Sequence, residues 1–133
     1  MRGPVSAETR PTGLLLCRDL IFTTKVKETA MELGYWILVA GTDSSARSLL
    51  KTQGLRVVFI DLTAGEVAAP GAVSEYRKLA SPDAPFVAFG PHVEAGTLAA
   101  ARAAGCQTVM PRSKFAAELP ELLRHYIGAA GDA

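Results

Sequence analysis

Four points along this chain place a residue able to do chemistry at the end of an apolar run. Cys17, Arg18 and Asp19 follow Leu14-Leu15-Leu16, Asp61 ends Val57-Val58-Phe59-Ile60, Gly90 follows Phe86-Val87-Ala88-Phe89, and Arg112 lies just beyond Thr108-Val109-Met110. An acid closing a fully apolar run is informative, because a carboxylate taken out of water without a partner is costly. Asp61 must therefore find donors, and two sources are open. It either caps the loop that follows, Leu62-Thr63-Ala64-Gly65, or it meets a charge brought from elsewhere in the chain. Arg18, Arg112 and Lys114 are candidate cations, and the three together could also cradle an anion.

These residues meet only if the elements ahead of them lie side by side. The chain alternates short apolar runs with amphipathic segments. The runs at 14–17, 35–40, 57–60, 86–89 and 108–110 predict strands. Helices are predicted over Thr23 to Leu33, capped by Thr23 or Thr24 and ended by Gly34, and from the Thr42 to Ser45 caps through Thr52, closed by Gly54. A weaker helix spans Val73 to Leu79 ahead of Ser81-Pro82-Asp83-Ala84-Pro85, and an Ala-rich one spans Glu94 to Ala104, stopped by Gly105. A final helix runs from Ala116 to Tyr126, with Pro120 in its first turn and Leu119, Leu122 and Leu123 facing inward. Strands without alternation, set between helices, imply a parallel sheet covered on both faces. With right-handed crossovers, a doubly wound α/β sheet is the natural arrangement. Ligands of such sheets sit beyond the carboxyl ends of the strands, where all four points converge.

A length of 133 residues fits one domain, read here as a tail over 1–12, a domain over 13–128 and a frayed end over 129–133. A net charge of +1 offers no general attraction to nucleic acid or to anionic membrane. No apolar stretch approaches the ~20 residues that span a bilayer, and Met1 to Thr12 lacks the apolar core of a signal peptide. A cytoplasmic protein is expected. Cys17 and Cys106 then read as reduced core thiols. Glycine-rich phosphate loops, the nucleophile elbow and zinc-protease helix motifs are all missing from the sequence, so no enzyme is expected. His92 reads as an exposed loop residue with acid/base or effector contact as the alternative, and His125 as a complement to a helix C-terminus. Trp36 is core or rim, or, if exposed, part of an interface. The small residues of Leu98 to Ala104 either pack tightly or let a partner helix approach.

From Leu14 to Tyr126 the chain resembles the response-regulator receiver family. The resemblance rests on the order of elements, on Asp61, on the spacings onward to Gly90 and Arg112, and on Ala-Gly-Cys-Gln-Thr-Val-Met-Pro-Arg at 104–112, similar to the family's Ala-Gly-Ala approach to its fifth strand. It implies the flavodoxin-like fold with strand order 2-1-3-4-5 and helices on both faces. It also implies phosphoryl transfer from a histidine kinase to Asp61 with Mg²⁺, a hydroxyl and an aromatic as switch, and a partner surface on the fourth helix, fifth strand and last helix.

The chain departs from that pattern at most of its chemical positions. Mg²⁺ wants hard oxygen ligands, and the two acids that the resemblance requires after the first strand are here Cys17 and Arg18. Asp19 recovers the metal position only if the register slides by one. Gly90 stands in place of Ser or Thr, Val109 in place of the aromatic, Arg112 in place of Lys, and Ser113 in place of Pro. The expectation is a degenerate receiver, binding no metal, with Asp61 held by Arg18 or Arg112. It would work by protein–protein interaction with a histidine kinase, another signalling protein or a second copy of itself. Two rivals stand beside it. One is a working single-domain regulator phosphorylated on Asp61, with Asp19 and Asp61 as Mg²⁺ ligands. The other is a flavodoxin-like domain that binds an anion or small molecule through Arg18, Arg112 and Lys114. DNA binding is the least expected role.

Overall fold

In the computed structural model, which describes residues 10–91 and 94–128, the apolar runs pair into one parallel sheet. The strands are β1 (Thr12–Leu16), β2 (Trp36–Ala40), β3 (Leu55–Asp61), β4 (Phe86–Gly90) and β5 (Thr108–Pro111). Their order is β2-β1-β3-β4-β5, as expected. Leu16 pairs with both Ala40 and Ile60, Asp61 with Phe89, and Gly90 with Pro111, which brings the strand ends to one level. β1 opens at Thr12, inside the stretch read as tail. The outer parts of both expected tails, 1–9 and 129–133, and His92 lie outside the described residues.

Both faces of the sheet are covered, which is why the strands do not alternate. Val57 and Phe59 of β3 turn toward one core, and Val58 and Ile60 toward the other. The first core lies under α1 (Leu20–Glu32), α5 (Arg112–Ala117) and α6 (Leu119–Leu123). The second lies under α2 (Asp43–Leu49), α3 (Pro70–Leu79) and α4 (Ala95–Ala104). A 3₁₀ turn at Gly65–Ala68 and a π turn at Arg124–Gly128 complete the described elements. No helix of the described residues is long and apolar enough to cross a membrane.

Several helix boundaries differ from those expected, each for a local reason. α1 starts at Leu20 rather than Thr23, because Asp19 is its N-cap and accepts from the Phe22 N–H. Leu20 and Ile21 are 81% and 85% exposed, so the apolar spacing that marks a buried face begins only after them. α2 is capped by Thr42 and ends at Leu49, short of Thr52, while α3 begins at Pro70, an N-terminal position that needs no N–H. Gly34 and Gly105 do end α1 and α4, with φ of +86° and +119°, where a side chain would be strained. The single final helix expected is broken at Glu118 (φ −107°, ψ 19°), and Pro120 falls in the first turn of the second piece. Ala101 and Ala104 of the Ala-rich helix pack into the core, and beside them α3 and α4 leave an apolar cleft of about 340 Å³ that these two and Ala100 help line. Trp36 is 41% exposed, with the Arg10 guanidinium 4.9 Å above its ring.

Candidate functional site

Asp61 ends the buried β3, and its side chain is only 2% exposed. Its Oδ1 accepts from the Thr63 N–H at 2.9 Å and from the Thr63 hydroxyl at 2.7 Å. Its Oδ2 accepts from Arg112 Nη2 at 2.6 Å and from the Cys17 thiol at 3.3 Å. An ionised carboxylate has about four acceptor positions, and here four donor contacts meet them. The Thr63 contacts are an Asx turn, the loop-capping role open to an aspartate before a Gly-containing loop. The loop is anchored besides by Leu62 N–H donating to the Phe89 carbonyl, 2.8 Å. Both sources of donors open in the sequence are therefore used, one on each carboxylate oxygen.

Arg112 enters from the β5–α5 junction, where pairing of Pro111 with Gly90 sets its height above the sheet. Its second nitrogen, Nη1, lies 3.4 Å from Asp19 Oδ2. Its guanidinium carbon lies 4.5 Å from the Phe22 ring centroid and 5.6 Å from that of Phe89. Phe89 is in turn stacked on Phe115 at 4.2 Å. A planar guanidinium suits an aromatic floor and a forked pair of acids as an ammonium point charge does not. The Arg112 side chain is 27% exposed against 2% for Asp61, so this pair is far better shielded than an ordinary surface ion pair.

The remaining contacts fix the charge states around Asp61. The Phe22 N–H, and after it the charge of Arg112, hold Asp19 below the usual aspartate range. Its side chain is 45% exposed, so its attraction to Arg112 is screened. Burial pushes the Cys17 thiol up, and the adjacent Asp61 carboxylate adds to that. Cys17 is thus a neutral donor at neutral pH, not a thiolate.

Two expected site residues are elsewhere. Arg18 makes no hydrogen bond to Asp61 and is exposed. Cys17 turns inward, so the next side chain turns out, and Arg18 lies across the loops at Gly41 and Gly65. Lys114 faces solvent and pairs with Glu118 at 3.6 Å, because residues two apart on a helix point in different directions. The three cations therefore do not share one pocket. Gly90 does sit at the site, beside Leu62, with ordinary contact distance for an added Cβ at 3.5 Å, so the residue type, not a lack of room, removes a switch hydroxyl. Val109 is half-buried against the α2–α4 core. Sequence reasoning missed Thr63, Phe22 and Phe89 as site residues. Only Thr63 had a usable signal, a hydroxyl two residues after an aspartate at a turn.

Magnesium does not fit these side chains. The two carboxylates that could offer oxygen, Asp19 and Asp61, both carry Arg112, and the position nearest Asp61 on β1's end is a neutral thiol. Among the described residues no group of three or more His, Cys, Asp or Glu is placed to hold a metal ion.

No family model matches the chain, and no curated protein matches it. Solved structures do. A response regulator from Thermotoga maritima superposes with TM-score 0.73 at 19% identity, over 90% of this chain and 98% of that one. The receiver domain of the sensor histidine kinase PA1611 from Pseudomonas aeruginosa, which has a magnesium ion coordinated in its active-site cleft, gives 0.72 at 19% identity, over 90% and 98%. A receiver domain from Methanospirillum hungatei gives 0.71 at 12% identity, over 88% and 96%. At this level of identity the likeness is one of fold, and the chain has the fold of the response-regulator receiver domains.

Proposed function

We propose that this chain is a receiver-fold signalling module whose aspartate is held shut, and that it acts by docking to another protein without phosphorylation and without catalysis. The observation carrying this reading is the full set of donors on Asp61: Thr63 twice, Arg112 and Cys17. A carboxylate that attacks phosphorus must free an oxygen, and the phosphoryl oxygens need a cation to neutralise the charge that develops. Here the nearest cation is covalently part of the chain and already bonded to the would-be nucleophile. Gly90 and Val109 leave no hydroxyl or rotating aromatic to pass a signal onward. A module of this kind presents one surface at all times. Its partner is a histidine kinase or another signalling protein.

One observation favours the rival in which Asp61 accepts phosphate. Asp19 sits on the other arm of the same guanidinium, so an outward swing of Arg112 would leave two acids facing one space. The anion-cradle reading has less in its favour, since Arg112 and Lys114 are each paired with acids. Incubation with acetyl phosphate and Mg²⁺, followed by intact-mass spectrometry, separates the first two. No phosphoryl adduct is expected. An adduct that forms only with Mg²⁺ and vanishes in Asp61→Asn would establish the working regulator instead.

A further inference from the structure

One turn of helix seats Arg112. At the start of α1, Asp19 Oδ1 accepts from the Phe22 N–H at 3.1 Å and the Asp19 carbonyl accepts from the Thr23 N–H at 2.9 Å, which closes the first turn. The other oxygen of the same carboxylate, Oδ2, lies 3.4 Å from Arg112 Nη1, and the Phe22 ring lies under the guanidinium at 4.5 Å. Two supports of Arg112 are therefore the two residues whose bond caps the helix.

Little else fastens that turn. Leu20 and Ile21, which stand between Asp19 and Phe22, are 81% and 85% exposed and bury almost nothing. The first side chain of α1 to reach the core is Phe22. Helix ends with few buried contacts open locally at a small part of the cost of global unfolding. With this turn unwound, Asp19 is no longer fixed beside Nη1, and Arg112 keeps only Asp61 and the Phe89 ring at 5.6 Å.

We infer that the first turn of α1 is a conformational keeper of Asp61: Arg112 leaves the aspartate through the state in which this turn is unwound. Asp19 and Phe22 are then positioning residues for Arg112, and helix capping and the shielding of Asp61 are coupled. The coupling is local, since the cap of another helix touches neither residue. The inference rests on the reading of Asp61 as held shut and locates the part of the fold that opens it.

Phenylglyoxal, which condenses with free guanidinium groups, tests this, with peptide-resolved mass spectrometry following Arg112 alone. Asp19→Asn and Asp19→Ala both remove the charge opposite Nη1, but Asn caps a helix as Asp does and Ala does not. Arg112 is expected to react about fivefold faster in Asp19→Ala than in Asp19→Asn. Leu20→Pro acts in the opposite sense. Proline pre-sets the first helical position, and Asp19, at φ −86° and ψ 106°, already has the extended backbone that a following proline requires. This variant should slow the reaction about twofold. Thr42→Ala removes the cap of α2, where Thr42 accepts from the Ser45 N–H, and should leave Arg112 at the wild-type rate. Equal rates in the two Asp19 variants, or the same acceleration in Thr42→Ala, overturn the coupling. Circular dichroism checks that each variant is folded; should Asp19→Ala unfold, Leu20→Pro decides, and an unchanged rate there overturns the coupling as well. A phosphoryl adduct on Asp61 of the wild-type protein would overturn only the held-shut reading, and rates that ignore the turn would overturn only the coupling.

Discussion

On the face of the sheet under α1, α5 and α6, rings of Phe22, Phe59, Phe89, Phe115 and Tyr126 interlock at centroid separations of 4.2 to 6.0 Å. On the opposite face α4 contributes mostly alanine and glycine, and about 340 Å³ stands open between it and α3. Arg112 rests on the first face and not the second. A densely packed interior transmits strain and resists rearrangement, so the cation that occupies Asp61 is held by the stiffer half of the molecule. A surface arginine would fluctuate through many rotamers; this one has an aromatic floor beneath it and an acid on each arm.

The largest expected effect comes from undercutting that floor at Phe115, on which Phe89 is stacked. Phe115 is fully buried between Phe59 and Phe89, and Phe115→Ala should cost about 3–5 kcal/mol by urea denaturation. Next, Arg112→Ala leaves Asp61 buried with only the Thr63 and Cys17 donors and should cost about 2–3 kcal/mol, since a hydrogen bond to a charged group is being lost inside. Arg112→Lys should recover part of this but not the contact with Phe22. A matched pair of substitutions then compares the two faces directly. Ala30→Leu forces bulk into the packed side at a fully buried position and should destabilise by about 1–3 kcal/mol. Ala101→Leu, also buried but lining the cleft, should cost less than Ala30→Leu, because the added carbons have room to enter it. Equal losses at both positions would show that the faces do not differ as described.

The smallest effect is the pH dependence of Asp19. Its folded value is depressed, so its contribution is fully present above the ordinary 3.8 and is lost as pH falls through the folded value. Asn is an equally good N-cap. Asp19→Asn should therefore be less stable than wild type near neutrality and converge with it in acid, a difference that salt reduces. Melting temperatures measured across pH at two ionic strengths would show this.

Much of the fold was legible because its signals are local. Each strand is a short apolar run, four of the five closed by glycine, proline or an acid, and the buried parallel sheet explains why none alternates. The start of α1 was not legible. Leu20 and Ile21 are apolar yet face solvent, which hides the turn that Asp19 caps. At the site, the sequence could show that Asp61 needs donors, from its own loop or from a cation, but could not choose between Arg18 and Arg112 as that cation. That choice is made by the inward turn of Cys17 and by the pairing of β4 with β5, neither of which leaves a mark at either arginine. Lys114 was grouped with them for its nearness along the chain, and the helix that begins at Arg112 carries it away. Phe22 and Phe89 read only as core, and they are core. Their second role, supporting a guanidinium, exists only once the fold has brought Arg112 over them.

The most direct measurement is a crystal structure of the protein soaked in Mg²⁺ and beryllofluoride, a mimic of an aspartyl phosphate. The expected result is Arg112 still bonded to Asp61 Oδ2, near the 2.6 Å seen here, with no ordered metal or fluoride beside it. Beryllofluoride bound to Asp61, with a magnesium ion in place of the displaced guanidinium, would contradict the account at its centre.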